Sequence, residues 1–203
     1  MKRKPITHGG IFEDRAFAQE YARKHWKMAA GFGRDYGKVL RKEGFVRGRV
    51  LDVGCGFGAT NLTLAEQFPD SRFVGIDLSD PLLHIARRTV EERGLSAGLR
   101  FEKADVLDMP FEDDSFDVLL NLNMAHLVHD PIRMFSEMER VLRPNGFLFV
   151  ADLRRSVMGI IEREIRSALS CPEARELIRA SPLRAGTFSC GLIWWRYERM
   201  GQI

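Results

Sequence analysis

Between residues 50 and 151, short apolar runs alternate with amphipathic stretches, and that order leaves few folds open. Residues 50–54, 73–77, 99–104, 116–122 and 147–151 read as strands. The fourth is apolar enough to be buried on both faces. Between them, 60–68, 81–93 and 131–142 read as helices. In the second helix Leu82, Ile85, Ala86, Thr89 and Val90 share one face at helical spacing, with Asp80 as N-cap and Pro81 at the first helical position. Asp130-Pro131 opens the third helix in the same way, and Arg143-Pro144-Asn145-Gly146 turns the chain into the fifth strand. Such alternation implies a parallel sheet with helices on both sides. The arm before it reads as mainly helical, with Phe17, Tyr21 and Met28 on one face and Gly31, Gly33 and Gly37 as points where it can bend. Beyond Asp152 the chain reads as helices over 155–169 and 173–181. The stretch TFSCGLIWWRYER then reads as two short closing strands that turn near Gly191.

At 203 residues the chain reads as one domain, 1–203, able to bury its own core. It divides into an arm or lid (1–47), a core (48–155) and a closing segment (156–203). Charge follows the same division. Residues 1–49 hold 13 Lys and Arg against 5 Asp and Glu, residues 50–150 hold 9 against 17, and residues 151–203 hold 9 against 6. A basic arm beside an acidic centre reads either as a solvated, loosely paired surface or as a means of drawing in an anionic small molecule. No nucleic-acid-binding motif is present to direct it to DNA or RNA. Cys55, Cys171 and Cys190 are odd in number and widely spaced, which points to reduced thiols and a cytoplasmic location, without a disulfide framework. The basic start MKRKPITHGG lacks the apolar run of a signal peptide, and no run is long enough to span a membrane.

The loop LDVGCGFGAT, directly after the first strand, sets the ligand question. Read as Gly54-x-Gly56-x-x-Ala59 it suits a dinucleotide, whose pyrophosphate would meet the backbone. Read as Asp52-x-Gly54-x-Gly56-x-Gly58 it places a carboxylate where a pyrophosphate would be repelled. Asp77 closes the second strand, where a carboxylate can accept from both ribose hydroxyls of either ligand. Asp105, just after the third strand, comes within reach of an adenine amino group, and hydride transfer has no need of it. Three carboxylates suit a ligand that carries a sulfonium and an ammonium and no phosphate, namely S-adenosylmethionine.

The segments LDVGCGFGAT, GIDLS, KADVLDMPFEDDSFDVLL and ERVLRPNGFLFVADL together resemble class I S-adenosylmethionine-dependent methyltransferases, and most closely their ubiquinone/menaquinone-biosynthesis-like small-molecule branch. The resemblance covers about residues 48–155. It implies a doubly wound α/β fold with a mostly parallel seven-stranded sheet whose last strand is antiparallel, a Rossmann-like methyltransferase fold. It also implies that Asp52, Gly54, Cys55, Gly56 and Gly58 surround the methionine part of the cofactor. Asp77 and Leu78 would meet the ribose and adenine, Ala104, Asp105 and Val106 the adenine, and Asn121 the junction of cofactor and acceptor. The expected reaction is in-line transfer of a methyl group to a small-molecule acceptor.

Other readings are weighed against this one. An NAD(P)-dependent oxidoreductase is disfavoured by Asp52 and Asp105. A non-catalytic S-adenosylmethionine-binding protein and a methyltransferase acting on a macromolecule carry the same cofactor loop, although Asn121-Leu122-Asn123-Met124 lacks the Asn/Asp-Pro-Pro-aromatic signature of amino-methylating nucleic-acid enzymes. His126, which matches a histidine common in the branch, reads either as a general base for the acceptor or as a hydrogen-bonded loop histidine, and His129 stands where a proline is usual. As a metal site the stretch lacks the helical His-Glu-x-x-His pattern, so no metal is expected. The flanks carry no signal for the identity of the acceptor or for oligomeric state.

Overall fold

The computed structural model describes residues 11–155 and 167–202. A short 3-10 turn, Ile11–Glu13, leads into α1 (Arg15–Lys42), whose N-cap Asp14 accepts the Phe17 amide at 2.7 Å. There follow β1 (Arg49–Val53), α2 (Ala59–Gln67), β2 (Arg72–Asp77), α3 (Asp80–Glu92), β3 (Leu99–Lys103) and β4 (Phe116–Leu122). A 3-10 turn (Ala125–Leu127), α4 (Pro131–Val141), β5 (Leu142–Leu153), α5 (Cys171–Ala180), β6 (Thr187–Cys190) and β7 (Trp194–Arg199) complete the described chain.

The seven strands form one sheet in the order β3-β2-β1-β4-β5-β7-β6. The first five are mutually parallel, and β7 runs antiparallel to both β5 and β6. The expected seven-stranded doubly wound sheet is therefore observed, with its last strand antiparallel. Strand order reverses between β1 and β4, and the carboxyl ends of those two strands open the crevice where such sheets hold ligands. One face buries Tyr36, Leu40, Leu62 and Leu83 from α1, α2 and α3, and the other buries Phe135, Met138 and Ile178 from α4 and α5.

Several expectations are corrected in detail. The N-cap of α3 is Ser79, whose hydroxyl accepts the Leu82 amide, while Asp80 sits in the first turn and pairs with Lys103. The Arg143–Gly146 turn is absorbed into β5 as an irregularity, because Leu142 pairs with Phe116 while the next partner of β4, Val118, pairs with Phe147. The glycines of the arm are not bends. The helix α1 runs unbroken for 28 residues, and Gly33 and Gly37 are pressed against α2. A Cβ on Gly33 would stand 2.8 Å from the Thr60 carbonyl oxygen, and one on Gly37 would strike the Gln67 amide. Thr60 and Gln67 donate in turn to the Ala29 and Gly33 carbonyls of α1. Small residues here permit close helix contact, as helix packing requires.

The cysteines correct the reduced-thiol expectation. Cys171, the first residue of α5, is disulfide-bonded to Cys190, the last of β6, with Cα atoms 6.2 Å apart. Sequence spacing conceals the pair, because packing of α5 beside the β6–β7 hairpin is what brings them together. Cys55 is free. Most of the expected helix over 155–169 lies outside the described residues. No described helix is long and apolar enough to cross a membrane.

Candidate active site

A cavity of about 720 Å³ opens at the carboxyl ends of β1, β2 and β4. Of the residues expected to hold a cofactor, Asp52, Gly54, Cys55, Gly56, Asp77, Leu78, Asp105 and Val106 line it. Gly58, Ala104 and Asn121 stand outside the lining. Gly58 is the left-handed N-cap of α2, and a Cβ there would strike Phe101. Asn121 is fully buried behind the glycine loop, where its amide donates to the Val53 carbonyl at 3.0 Å.

The glycine loop is closed on itself. Gly54 and Cys55 both donate their amides to the Ile76 carbonyl at 2.9 Å, Gly58 donates to the Cys55 carbonyl, and Gly56 donates to Asp77 Oδ2 at 2.9 Å. Four of the five amides from 54 to 58 are thus engaged within the protein, and positive φ at Gly54, Gly56 and Gly58 lets the chain turn tightly enough to do this. A pyrophosphate needs such amides aimed outward. Here a carboxylate has taken the Gly56 amide. The other oxygen of Asp77 accepts the Ser79 amide at 2.9 Å, so amides hold the carboxylate through both oxygens where it lines the cavity.

Asp52 is buried at the end of β1. Burial, reinforced by the charge of Asp77, pushes its carboxyl up to about 7. Burial also raises Asp77, while the amides of Ser79 and Gly56 pull it back down. Burial, reinforced by the charges of Asp77 and Asp52, raises the Cys55 thiol well above its ordinary value, which disfavours its thiolate. Asp105 is exposed, and its Oδ1 accepts the Leu107 amide at 2.9 Å. The site therefore concentrates negative charge that a bound cation would relieve.

The other half of the cavity is apolar. Tyr21, His25, Met28 and Phe32 come from one stripe of α1, spaced by about one turn, and face Met124, Leu127 and Val128 of the β4–α4 loop. Phe12 closes one end, held where its carbonyl accepts the Ser79 hydroxyl at 2.6 Å, and its ring meets Tyr21 at 5.2 Å. His25 lies 4.4 Å from Tyr21 and was not singled out from the sequence; only its four-residue offset from Tyr21 on an aromatic helix face pointed to it. Asn123, at φ 56°, holds the left-handed conformation that Asn tolerates best among larger residues, and its amide donates to the Ala151 carbonyl at 2.7 Å.

His126 also borders the cavity, but its side chain is 1% exposed. Its Nδ1 lies 2.6 Å from Asp152 Oδ1, and its backbone amide donates to Asp152 Oδ2 at 2.7 Å. Asp152 was missed in the sequence because it sits 26 residues away, at the end of β5, and becomes a neighbour only when β5 pairs with β4. The pair clamps the β4–α4 loop to the sheet. His129 is exposed at the cavity edge. No metal-holding group of three or more His, Cys, Asp or Glu occurs among the described residues.

Residues 51–150 match the family described as a methyltransferase domain. A fatty-acid O-methyltransferase from Mycolicibacterium smegmatis is 39% identical over 106 residues, which is 52% of this chain and 37% of that protein. A phthiotriol/phenolphthiotriol dimycocerosates methyltransferase from Mycobacterium ulcerans is 37% identical over 108 residues, 53% of this chain and 38% of that protein. The chain thus matches only about two-fifths of the length of these relatives. Among solved structures, a candidate S-adenosylmethionine-dependent methyltransferase from Methanococcus maripaludis superposes with a TM-score of 0.77 at 18% identity, covering 100% of this chain and 99% of that one. A methyltransferase from Aquifex aeolicus gives 0.67 at 22% identity, covering 79% and 86%. At these identities the structural likeness speaks for the fold.

Proposed function

We propose, from the match of residues 51–150 to the methyltransferase-domain family, that the chain binds S-adenosylmethionine and transfers its methyl group to a small, largely apolar acceptor. One observation carries the cofactor assignment. The glycine loop spends its amides on the protein's own acceptors, one of them Asp77, and faces the cavity with the buried carboxylate Asp52. That donor set fits a cation and repels a diphosphate.

When bound, the cofactor supplies a methyl group already activated on sulfur. The chain supplies the placement. Asp52 faces the cationic methionine end, Asp77 offers its remaining lone pairs to the ribose, and Asp105 with Val106 borders the adenine position beside Leu78. Met124 rests against Gly54, where a Cβ would come 2.5 Å from its Cε, and so separates the two halves of the cavity. An acceptor laid along Tyr21, Met28 and Phe32 is held out of water with its nucleophile directed at that junction. Orientation and exclusion of water are worth several orders of magnitude in such a displacement.

The buried geometry of His126 supports a positioning role. With Asp152 it fixes the loop that carries Met124, Leu127 and Val128. The apolar walls favour an acceptor with a hydrocarbon body, in keeping with the fatty-acid O-methyltransferase name of one relative. The test is transfer of radiolabelled methyl from S-adenosylmethionine into a panel of long-chain fatty acids and hydroxylated lipids. Label in the organic extract is expected. Its absence with a protein that binds S-adenosylhomocysteine would reduce the chain to a cofactor-binding protein.

A further inference from the structure

One imidazole stands in the middle of the wall proposed for the acceptor. His25 lines the cavity on α1, one turn from Tyr21 on one side and from Met28 on the other, and it is half-buried. Contacts on both sides of it fix this part of the helix. Tyr21 meets Phe57 of the glycine loop edge-on at 6.1 Å, Trp26 stacks on the same ring at 5.8 Å, and the Ala29 carbonyl accepts the Thr60 hydroxyl of α2 at 3.1 Å. His25 is therefore carried on firmly packed backbone against the loop proposed to receive the methionine end of the cofactor. The other two imidazoles of the cavity are placed differently: His126 is committed to Asp152, and His129 is exposed at the edge.

Charge narrows the acceptor. Glu13, Asp52, Asp77 and Asp105 border the same cavity. A carboxylate acceptor would add another anion to this set, whereas a hydroxyl adds no charge. A hydroxyl must also lose its proton as it is methylated, and a positioned imidazole is suited to take it near neutral pH. We propose that His25 is the proton acceptor of the reaction, and that the methyl-accepting group is a hydroxyl that enters neutral and leaves its proton on this imidazole. The proposal deepens the methyl-transfer reading above and rests on it.

In the transfer the hydroxyl oxygen bonds to the methyl carbon, the electron pair of the broken carbon–sulfur bond stays on sulfur, and the O–H proton passes to a ring nitrogen of His25. One of its two ring nitrogens suffices. Positive charge thus leaves sulfur and reappears on the imidazole, so the total charge of the site is conserved. A sulfonium nearby disfavours imidazolium and keeps His25 a base before transfer, and a neutral thioether lifts that restraint afterwards. The four carboxylates favour the imidazolium, while His126 and His129 oppose it when protonated. Tyr21 and Cys55 are the remaining titratable groups of the described lining. Arg23, Lys24 and Lys27, the charged neighbours on α1, are exposed to water, and Arg93, which lies over Trp26 at 5.7 Å, is paired with Glu66.

The test is an NMR pH titration of the histidine imidazoles in the whole chain, once saturated with S-adenosylhomocysteine and once with S-adenosylmethionine, each imidazole being assigned through its own backbone. The proton affinity of His25 is expected to be about threefold or more lower with S-adenosylmethionine, as one added unit charge a few ångströms away requires. That of His84, exposed on α3, is expected to be the same in both. Equal titration of His25 in the two saturated forms would overturn the proposal, and this arm needs no variant to fold. In the radiolabel assay H25Q is expected to lower transfer into hydroxylated lipids about a hundredfold. Transfer retained by H25Q, or wild-type label confined to fatty acids, would also overturn it. Failure of the methyl-transfer reading would appear separately, as no S-adenosylhomocysteine binding or no label in any acceptor with the wild type, and would take this proposal with it.

Discussion

The two halves of the cavity are built in different ways. The half proposed for the cofactor is made of backbone turns and carboxylates within 26 residues of chain, from Asp52 to Asp77, with Asp105 as the nearest addition. The half proposed for the acceptor is assembled from the arm, some 90 residues or more before the loop it faces, and consists of side-chain surfaces. A cradle of backbone amides and charges tolerates almost no change, because each group is already committed to a partner. A wall of apolar side chains can be recut residue by residue. Substitutions in the first half should therefore affect fold and cofactor together, and those in the second the acceptor alone.

The largest effect is expected at Gly58. It holds φ 76°, and a side chain there would strike Phe101 and come within 3.0 Å of the Ala86 Cβ. Gly58→Val should cost about 2–5 kcal/mol of stability from strain and overpacking together, read by denaturant unfolding. Wild-type stability in that variant would mean that the loop is not fixed as described. Next comes Asp77, which holds the loop and is proposed to hold the ribose. Asp77→Asn should weaken S-adenosylhomocysteine binding by about 1–3 kcal/mol and also lower the melting temperature, since the Gly56 amide loses a charged acceptor. Loss of affinity without loss of stability would separate the two roles assigned to this residue.

Asp52 gives a pH signature. A cation prefers the ionised carboxylate, so affinity for S-adenosylhomocysteine should fall about tenfold between pH 8 and pH 6, as Asp52 takes up a proton around 7. Its folded-state value lies above the unfolded value of 3.8, so the folded protein holds the extra proton between about 4 and about 7. The Asp52 contribution thus stabilises the unliganded protein as pH falls through that window and is lost as pH rises through 7. Asp52→Asn should flatten the pH dependence of binding. A wild-type isotherm unchanged between pH 6 and 8 would detach Asp52 from the cofactor. The smallest effect belongs to the other half: Met28→Ala should raise the acceptor KM about fivefold by removing roughly 1 kcal/mol of apolar contact, with cofactor affinity unchanged.

The same contrast explains what the sequence made legible. Asp52, the glycines and Asp77 are close along the chain, and their chemistry is carried by residue type, so spacing alone brought them to one site. The strands of the core were equally plain, since each is a short apolar run between turns. Asp152 was hidden because its partner His126 becomes a neighbour only through strand pairing. The Cys171–Cys190 bridge was hidden because 19 residues separate two elements that meet by packing. Gly33 and Gly37 suggested flexibility, but a glycine in a helix can equally permit a close neighbour, and only the position of α2 decides between the two. Asn121 matched by position but lies one layer behind the cavity wall, a depth that strand alternation alone does not fix.

The central claim is that the loop from Asp52 to Gly58 receives a cation and not a diphosphate. Calorimetric titration of the unmodified protein with S-adenosylhomocysteine and, separately, with NADH tests it most directly. Saturable binding of S-adenosylhomocysteine with no measurable heat from NADH is the predicted result. Saturable binding of NADH with none of S-adenosylhomocysteine would contradict the account.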